Sequence, residues 1–292
     1  MRMQKSLLAL SAGFVLFSSG SQALAQMAAP SPRVLQIYRE EVKPGKNAAH
    51  EKVETGWPRA YASAKWPTYY LAITSSTGPN EAWFLSGWDS LAAWEKSSQA
   101  EEKNAALQAQ LQQLSAQDGE LLSGARSVVA NFREDLSYRG SEVPFGKMRY
   151  FYLSTVRIRP GHDSDFTDGI KIAKKAHEAA KVPERWSVYQ VSQGMPAGTY
   201  LIFEPLQSLA DVDNFPQTHG EAYRNAVGDE GRKKLQEMAA SGTLSSEVNI
   251  FAFSPKMSYA NPEWVKADPE YWAPKPKAAP AAKKEAAKPA GQ

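Results

Sequence analysis

There is no cysteine among the 292 residues. That excludes disulfides, thiolate metal sites, a cysteine nucleophile and lipid attachment at an N-terminal cysteine. There is no long apolar run either. The best stretch, Leu7–Phe17, has eleven mostly apolar residues, well short of the ~20 that a spanning helix needs. No G-x-S-x-G elbow, phosphate loop or dinucleotide fingerprint occurs, so three common enzyme frameworks lose their sequence support. Histidine is scarce, with four copies. The basic excess is also absent from the centre of the chain. The first 25 residues carry +2 and the last 19 carry +4, which leaves about −3 for Gln26–Ala273 out of a total of +3. A basic folded surface for nucleic acid is therefore not expected.

What is present at the ends reads as processing and spacer sequence. Arg2 and Lys5 precede the apolar run, and Ala23-Leu24-Ala25 places small residues where signal peptidase cuts. Residues 1–25 are predicted to be a secretory signal peptide, giving an exported chain, periplasmic or secreted, that is soluble and spans no membrane. The tail over 274–292, "PKPKAAPAAKKEAAKPAGQ", has no apolar face to bury and is expected to be disordered. It reads as a solvated spacer, and an anionic cell-surface polymer is the partner its charge would suit. Residues 260–273 form an extension ahead of it.

Between the ends the chain reads as two copies. "VKPGK" at Val42–Lys46 returns as "IRPGH" at Ile158–His162, 116 positions on. Tyr69–Trp94 lies over Ser187–Val212 at an offset of 118, and Phe132–Tyr138 over Phe253–Tyr259 at 121. Several anchors in one order at nearly one offset point to an internal duplication. We assign repeat 1 to 33–138, a turn-rich linker to 139–147 and repeat 2 to 148–259. In repeat 1 the pattern predicts strands at Arg33–Val42, Thr68–Ser75, Glu81–Gly87 and Arg126–Arg133. A helix is predicted over Asn47–Ala64, broken near Pro58. A short helix capped by Asp89 and a long one over Glu101–Leu122 follow. Repeat 2 repeats the order, with helices at Asp163–Lys181, Ser208–Asn214 and about Gly220–Ala240. The order β-α-β-β-α-β is the ferredoxin-like unit.

One such unit has a bare sheet face. Adjacent strand residues point to opposite faces, yet Tyr69–Tyr70, Trp83–Phe84, Phe151–Tyr152 and Leu201-Ile202-Phe203 are bulky on both. Four uncovered aromatics would expose at least ~600 Å². The fold expected is α+β: two ferredoxin-like repeats packed sheet to sheet within one chain, with helices outside. Further association into a homo-oligomer stays open.

The opening strand ending in Val/Ile-x-Pro-Gly, the hairpin and the "DSLAAW"/"QSLADV" helix resemble the dimeric α+β barrel superfamily. Antibiotic-biosynthesis-monooxygenase-like and NIPSNAP-like domains look closest. The resemblance covers Val34–Phe253 in two copies and implies an intramolecular dimeric α+β barrel. It also implies a choice among cofactor-free oxygenases, haem-binding or haem-degrading proteins, and members without assigned activity.

The residues decide little among these. His50, His162, His177 and His219 lie far apart in sequence, and no spacing reads as a metal pair, so no metal is expected. His177 lies on the apolar stripe of its helix. By the resemblance it is the weak candidate for a haem ligand or a general base; the plain alternative is a core histidine bonded to a backbone carbonyl. His162 reads as a helix-entry residue. Glu40-Glu41 and Glu134-Asp135 read as solvated strand ends, and Glu204 as sheet rim. Tyr70, Trp83, Tyr152, Tyr189 and Tyr200 are the aromatics selected for a pocket between the sheets, with simple packing as the alternative. The leading reading is an exported protein, without predicted cofactor, that binds a small apolar or aromatic ligand. The alternatives are an oxygenase of the antibiotic-biosynthesis type and a haem-binding member.

Overall fold

The computed structural model describes residues 31–215 and 219–273. The expected signal peptide and the Ala/Lys/Pro tail lie outside these residues. Eight strands close into an antiparallel barrel: β1 Val34–Val42, β2 Tyr70–Ser75, β3 Glu81–Trp88, β4 Leu122–Phe132, β5 Tyr150–Ile158, β6 Ser187–Gln193, β7 Thr199–Leu206 and β8 Thr243–Phe253. Their order around the barrel is β1-β3-β2-β8-β5-β7-β6-β4. The first four strands are therefore contiguous, as are the last four. The seams are β2–β8, with Ile73 opposite Phe253, and β4–β6, with Ala130 opposite Val191.

Odd-numbered residues of β1 and β3 and their equivalents point inward. Leu35, Ile37, Trp83, Leu85, Phe151, Leu153, Leu201 and Phe203 belong to one buried cluster. Closure removes every free sheet edge and covers the aromatic face that a single four-stranded sheet would expose. The doubly bulky pairs are thereby resolved. Trp83 enters the barrel while Phe84 joins Tyr70 outside, and Phe151 enters while Tyr152 meets Phe215 outside.

The helices wrap the outside: α1 Asn47–Glu54, α2 Gly56–Ser63, α3 Leu91–Glu102, α4 Ala105–Gly119, α5 Asp163–Ala180, α6 Ala210–Asp213 and α7 Glu221–Glu237. The two Pro-Gly turns end β1 and β5 with Gly45 and Gly161 at φ of +76° and +89°, a conformation that favours glycine. Three expectations are corrected. The break in the first helix falls at Thr55, ahead of Pro58, so the proline sits in the first turn of α2, where its missing N–H has no helical partner to lose. Ser90, not Asp89, caps α3, its Oγ accepting from Ala93 N at 3.1 Å. The long helix is two: Asn104 interrupts it and caps α4 through Leu107 N at 3.1 Å, and Leu122 already belongs to β4.

The extension folds as α8 Pro262–Ala267 and α9 Pro269–Trp272. It adds Trp272 to the barrel core at 3% exposure. No helix among the described residues is long and apolar enough to cross a membrane.

Candidate functional site

A cavity of about 690 Å³ opens at one end of the barrel. Leu35, Leu71, Leu85, Phe151, Tyr189 and Phe203 form its floor from the inward faces of the strands. Trp66, Trp88 and Phe145 join the wall, and Trp264 of α8 closes one side. Few polar groups reach it; among them are Asp89, Lys96, Ser187 and Asn261. An apolar wall with sparse polar groups holds a small apolar ligand and orients it by its few hydrogen bonds. Tyr189, whose hydroxyl donates to Pro32 O at 3.2 Å, is braced rather than free.

The five selected aromatics do not share this space. Tyr189 and Tyr70 touch the cavity. Trp83 is inside the barrel but further along it, where its Nε1 donates to Glu81 Oε2 at 2.6 Å and Arg39 stacks 4.2 Å over its ring. Tyr152 and Tyr200 face outward, away from the pocket assigned to them. Tyr200 packs on Phe166 of α5 at 4.3 Å and sends its hydroxyl toward Asp163. The reason is strand parity: 152 and 200 have the outward phase of β5 and β7.

His177 lies outside the barrel, under α7. Its Nδ1 is 2.8 Å from Ala173 O and its Nε2 3.1 Å from His219 Nε2. The rings of Trp186, Tyr223 and Tyr138 stand 4.7, 4.8 and 5.6 Å from its centroid. Burial lowers its pKa. Both ring nitrogens are engaged and the faces are packed, so the surroundings do not fit a porphyrin, and no step is derived through haem. His219 is His177's partner, and Glu184 brings a carboxylate oxygen within 4.8 Å of both imidazoles.

A second polar site sits between the barrel and the helices of the first half. Glu40 comes from the outward face of β1, His50 and Glu54 from α1, and Asp118 from the last turn of α4. All four are 3–4% exposed. His50 Nε2 is 2.8 Å from Glu40 Oε2 and 3.6 Å from Asp118 Oδ1. The local sequence explains the convergence. His50 and Glu54 are four apart on one helix and so share a face. Asp118 continues the Leu107–Leu111–Leu114 stripe of α4. Gly56, at the α1–α2 junction, lets α4 approach so closely that a Cβ there would stand 2.3 Å from Leu114 Cδ2.

Burial, with the charges of Glu40 and Asp118 behind it, pushes Glu54 up to about 9. Trp57, whose indole N–H draws that value back, falls short of hydrogen-bond geometry, and its Nε1 is itself without a partner. Asp118 is pushed up to about 7 by burial and then by Glu40, against the pull of His50. The Tyr70 hydroxyl is buried without a hydrogen-bond partner in the same layer, and its pKa is raised by burial and then by Glu54.

Two sequence expectations are corrected at this site. Glu40 is no solvated strand end; only its neighbour Glu41 is, paired with Arg126 at 2.9 Å on the surface. And one histidine does have an acidic residue at ligand spacing, in the pair His50–Glu54.

An eight-stranded antiparallel barrel with helices outside defines an α+β barrel protein. No family model matches the chain, and no curated protein sequence does. Solved structures match in fold. A candidate monooxygenase from Fusobacterium nucleatum subsp. nucleatum aligns with 76% of this chain and 93% of its own, at 13% identity and a TM-score of 0.50. An anthrone oxidase-like protein aligns with 78% and 93%, at 14% identity and 0.49. A mutant chlorite dismutase from Candidatus Nitrospira defluvii aligns with 80% and 96%, at 9% and 0.46. At such identities the likeness is one of fold.

Proposed function

We propose that this chain is an exported tandem duplication of a ferredoxin-like unit that binds one small apolar or aromatic molecule in the barrel-end cavity. The observation that carries the reading is the cavity of about 690 Å³, walled by aromatic and aliphatic side chains. That volume lies within the ~300–1,000 Å³ usual for small-molecule sites. Asp89, Lys96, Ser187 and Asn261 supply the orienting contacts. The oxygenase alternative would use the same cavity. Its titratable lining residues are Tyr69, Tyr70, Tyr189, Asp89 and Lys96, with no histidine among them, so the reading stops at binding.

The test is native mass spectrometry of the chain purified from its own host, alongside titration with an anilinonaphthalene sulfonate dye. Trp66, Trp88 and Trp264 line the cavity, so energy transfer to the bound dye reports occupancy. A co-purifying small apolar molecule, or saturable one-to-one dye binding, supports the reading. A bare mass with no saturable binding sinks it.

A further inference from the structure

We propose that Glu40, His50, Glu54 and Asp118 form a binding site for one divalent first-row cation, of the Mn²⁺ or Zn²⁺ kind, between the barrel and its helical layer. The first observation is geometric. One ligand atom from each residue lies within 4.8 Å of every other. Ligands about 2.1 Å from a shared ion sit roughly 3–4.2 Å apart, so small side-chain rotations bring all four onto one centre.

The second observation is independent of the clustering. Glu54 Oε1 and Asp118 Oδ1 are buried and have no hydrogen-bond partner. A carboxylate oxygen withdrawn from water without a donor is costly. His50 is the only basic side chain within ion-pair distance of Glu40 and Asp118 among the described residues. A divalent cation bound by the four side chains would give both orphaned oxygens a partner.

The donor set narrows the ion. Three carboxylates and one imidazole, with no sulfur atom among the four donors, suit hard-to-borderline cations rather than copper(I). The ligands come from β1, α1 and α4, so the ion would tie two helices to the barrel. Tyr70 reaches this layer with its hydroxyl and also borders the ligand cavity, whereas none of the four ligands lines that cavity.

The experiment uses the full chain, stripped with EDTA, dialysed and loaded with MnCl₂ or ZnCl₂. Bound metal is counted by plasma mass spectrometry after gel filtration, and thermal unfolding is followed with and without metal. One ion per chain and a metal-dependent rise in Tm are expected. Glu54→Gln should weaken binding by about tenfold or more and abolish the Tm rise, while remaining as stable as the metal-free parent. Asp118→Asn is the second variant, should the first fail to fold. Glu51→Gln, on the exposed side of the same helix, should bind as the parent does. Absence of stoichiometric metal with both salts overturns the proposal. So does binding that Glu54→Gln and Asp118→Asn leave unaltered, since the ion would then lie elsewhere. Neither outcome touches the cavity reading, which is measured by dye and mass.

Discussion

His50 and Glu40 face each other at 2.8 Å, Nε2 to Oε2, with both side chains almost wholly buried. Ten residues and the first Pro-Gly turn separate them in the chain, so the contact fixes how α1 lies on β1. Removing the imidazole leaves Glu40 and Asp118 buried without the side chain that pairs with them. His50→Ala in metal-free protein should therefore cost about 3–5 kcal/mol, read from urea midpoints at neutral pH. A cost below about 1 kcal/mol would show that the contact does not hold the helix.

The cavity makes a separate prediction. Ala93 of α3 lines it and is only partly buried. Ala93→Phe should fill part of the space while leaving the barrel core untouched. Dye affinity should fall about tenfold, as removal of a well-packed apolar contact of ~1.4 kcal/mol would give, with the unfolding midpoint nearly unchanged. Unaltered affinity would move the binding site away from this end of the barrel.

Much of this architecture was legible in the residues. The succession of strands and helices along the chain followed from alternating runs and the Pro-Gly turns. What could not be read was the phase of strands that are bulky on both faces. Tyr152 and Tyr200 look as suitable for a pocket as Tyr189, and only the closed barrel distinguishes them. The acid cluster was missed for a different reason. Asp118 ends an apolar helix stripe and Glu40 sits beside a second glutamate, so each alone resembles a surface residue. The available signal was His50-x-x-x-Glu54 on a helix whose other stripe positions are apolar.

Glu204 gives a pH prediction. Burial first, and then the charge of Glu184, pushes it up to about 7 from an ordinary 4.5. The folded state therefore holds this proton more tightly than the unfolded chain does. Its contribution to stability is full below about pH 4.5, falls between 4.5 and 7, and stays at its lower level above 7. The loss should be on the order of 3 kcal/mol. Glu54 and Asp118 shift in the same direction, so the variant must be compared with the parent. Glu204→Gln should be the more stable protein at pH 8 and gain little at pH 4.5, by urea unfolding at both. An equal difference at the two pH values would mean that Glu204 titrates as an ordinary carboxyl.

Trp272 tests whether the C-terminal extension belongs to the fold. It is 3% exposed, packs against Phe253 and Trp264, and donates its Nε1 to Gly146 O at 2.8 Å. The neighbouring Tyr271 lies under Arg149 at 3.7 Å and donates to Phe253 O at 2.9 Å. The extension thus joins the segment between β4 and β5 to the last strand. Trp272→Ala should cost about 3–5 kcal/mol through the void it leaves. Trp272→Phe keeps most of the packing and loses the hydrogen bond, so it should cost less, with the orphaned Gly146 carbonyl contributing about 1–3 kcal/mol. Denaturant unfolding of both variants separates the two effects. If Trp272→Ala costs no more than a surface substitution, the extension is an accessory and the barrel closes without it.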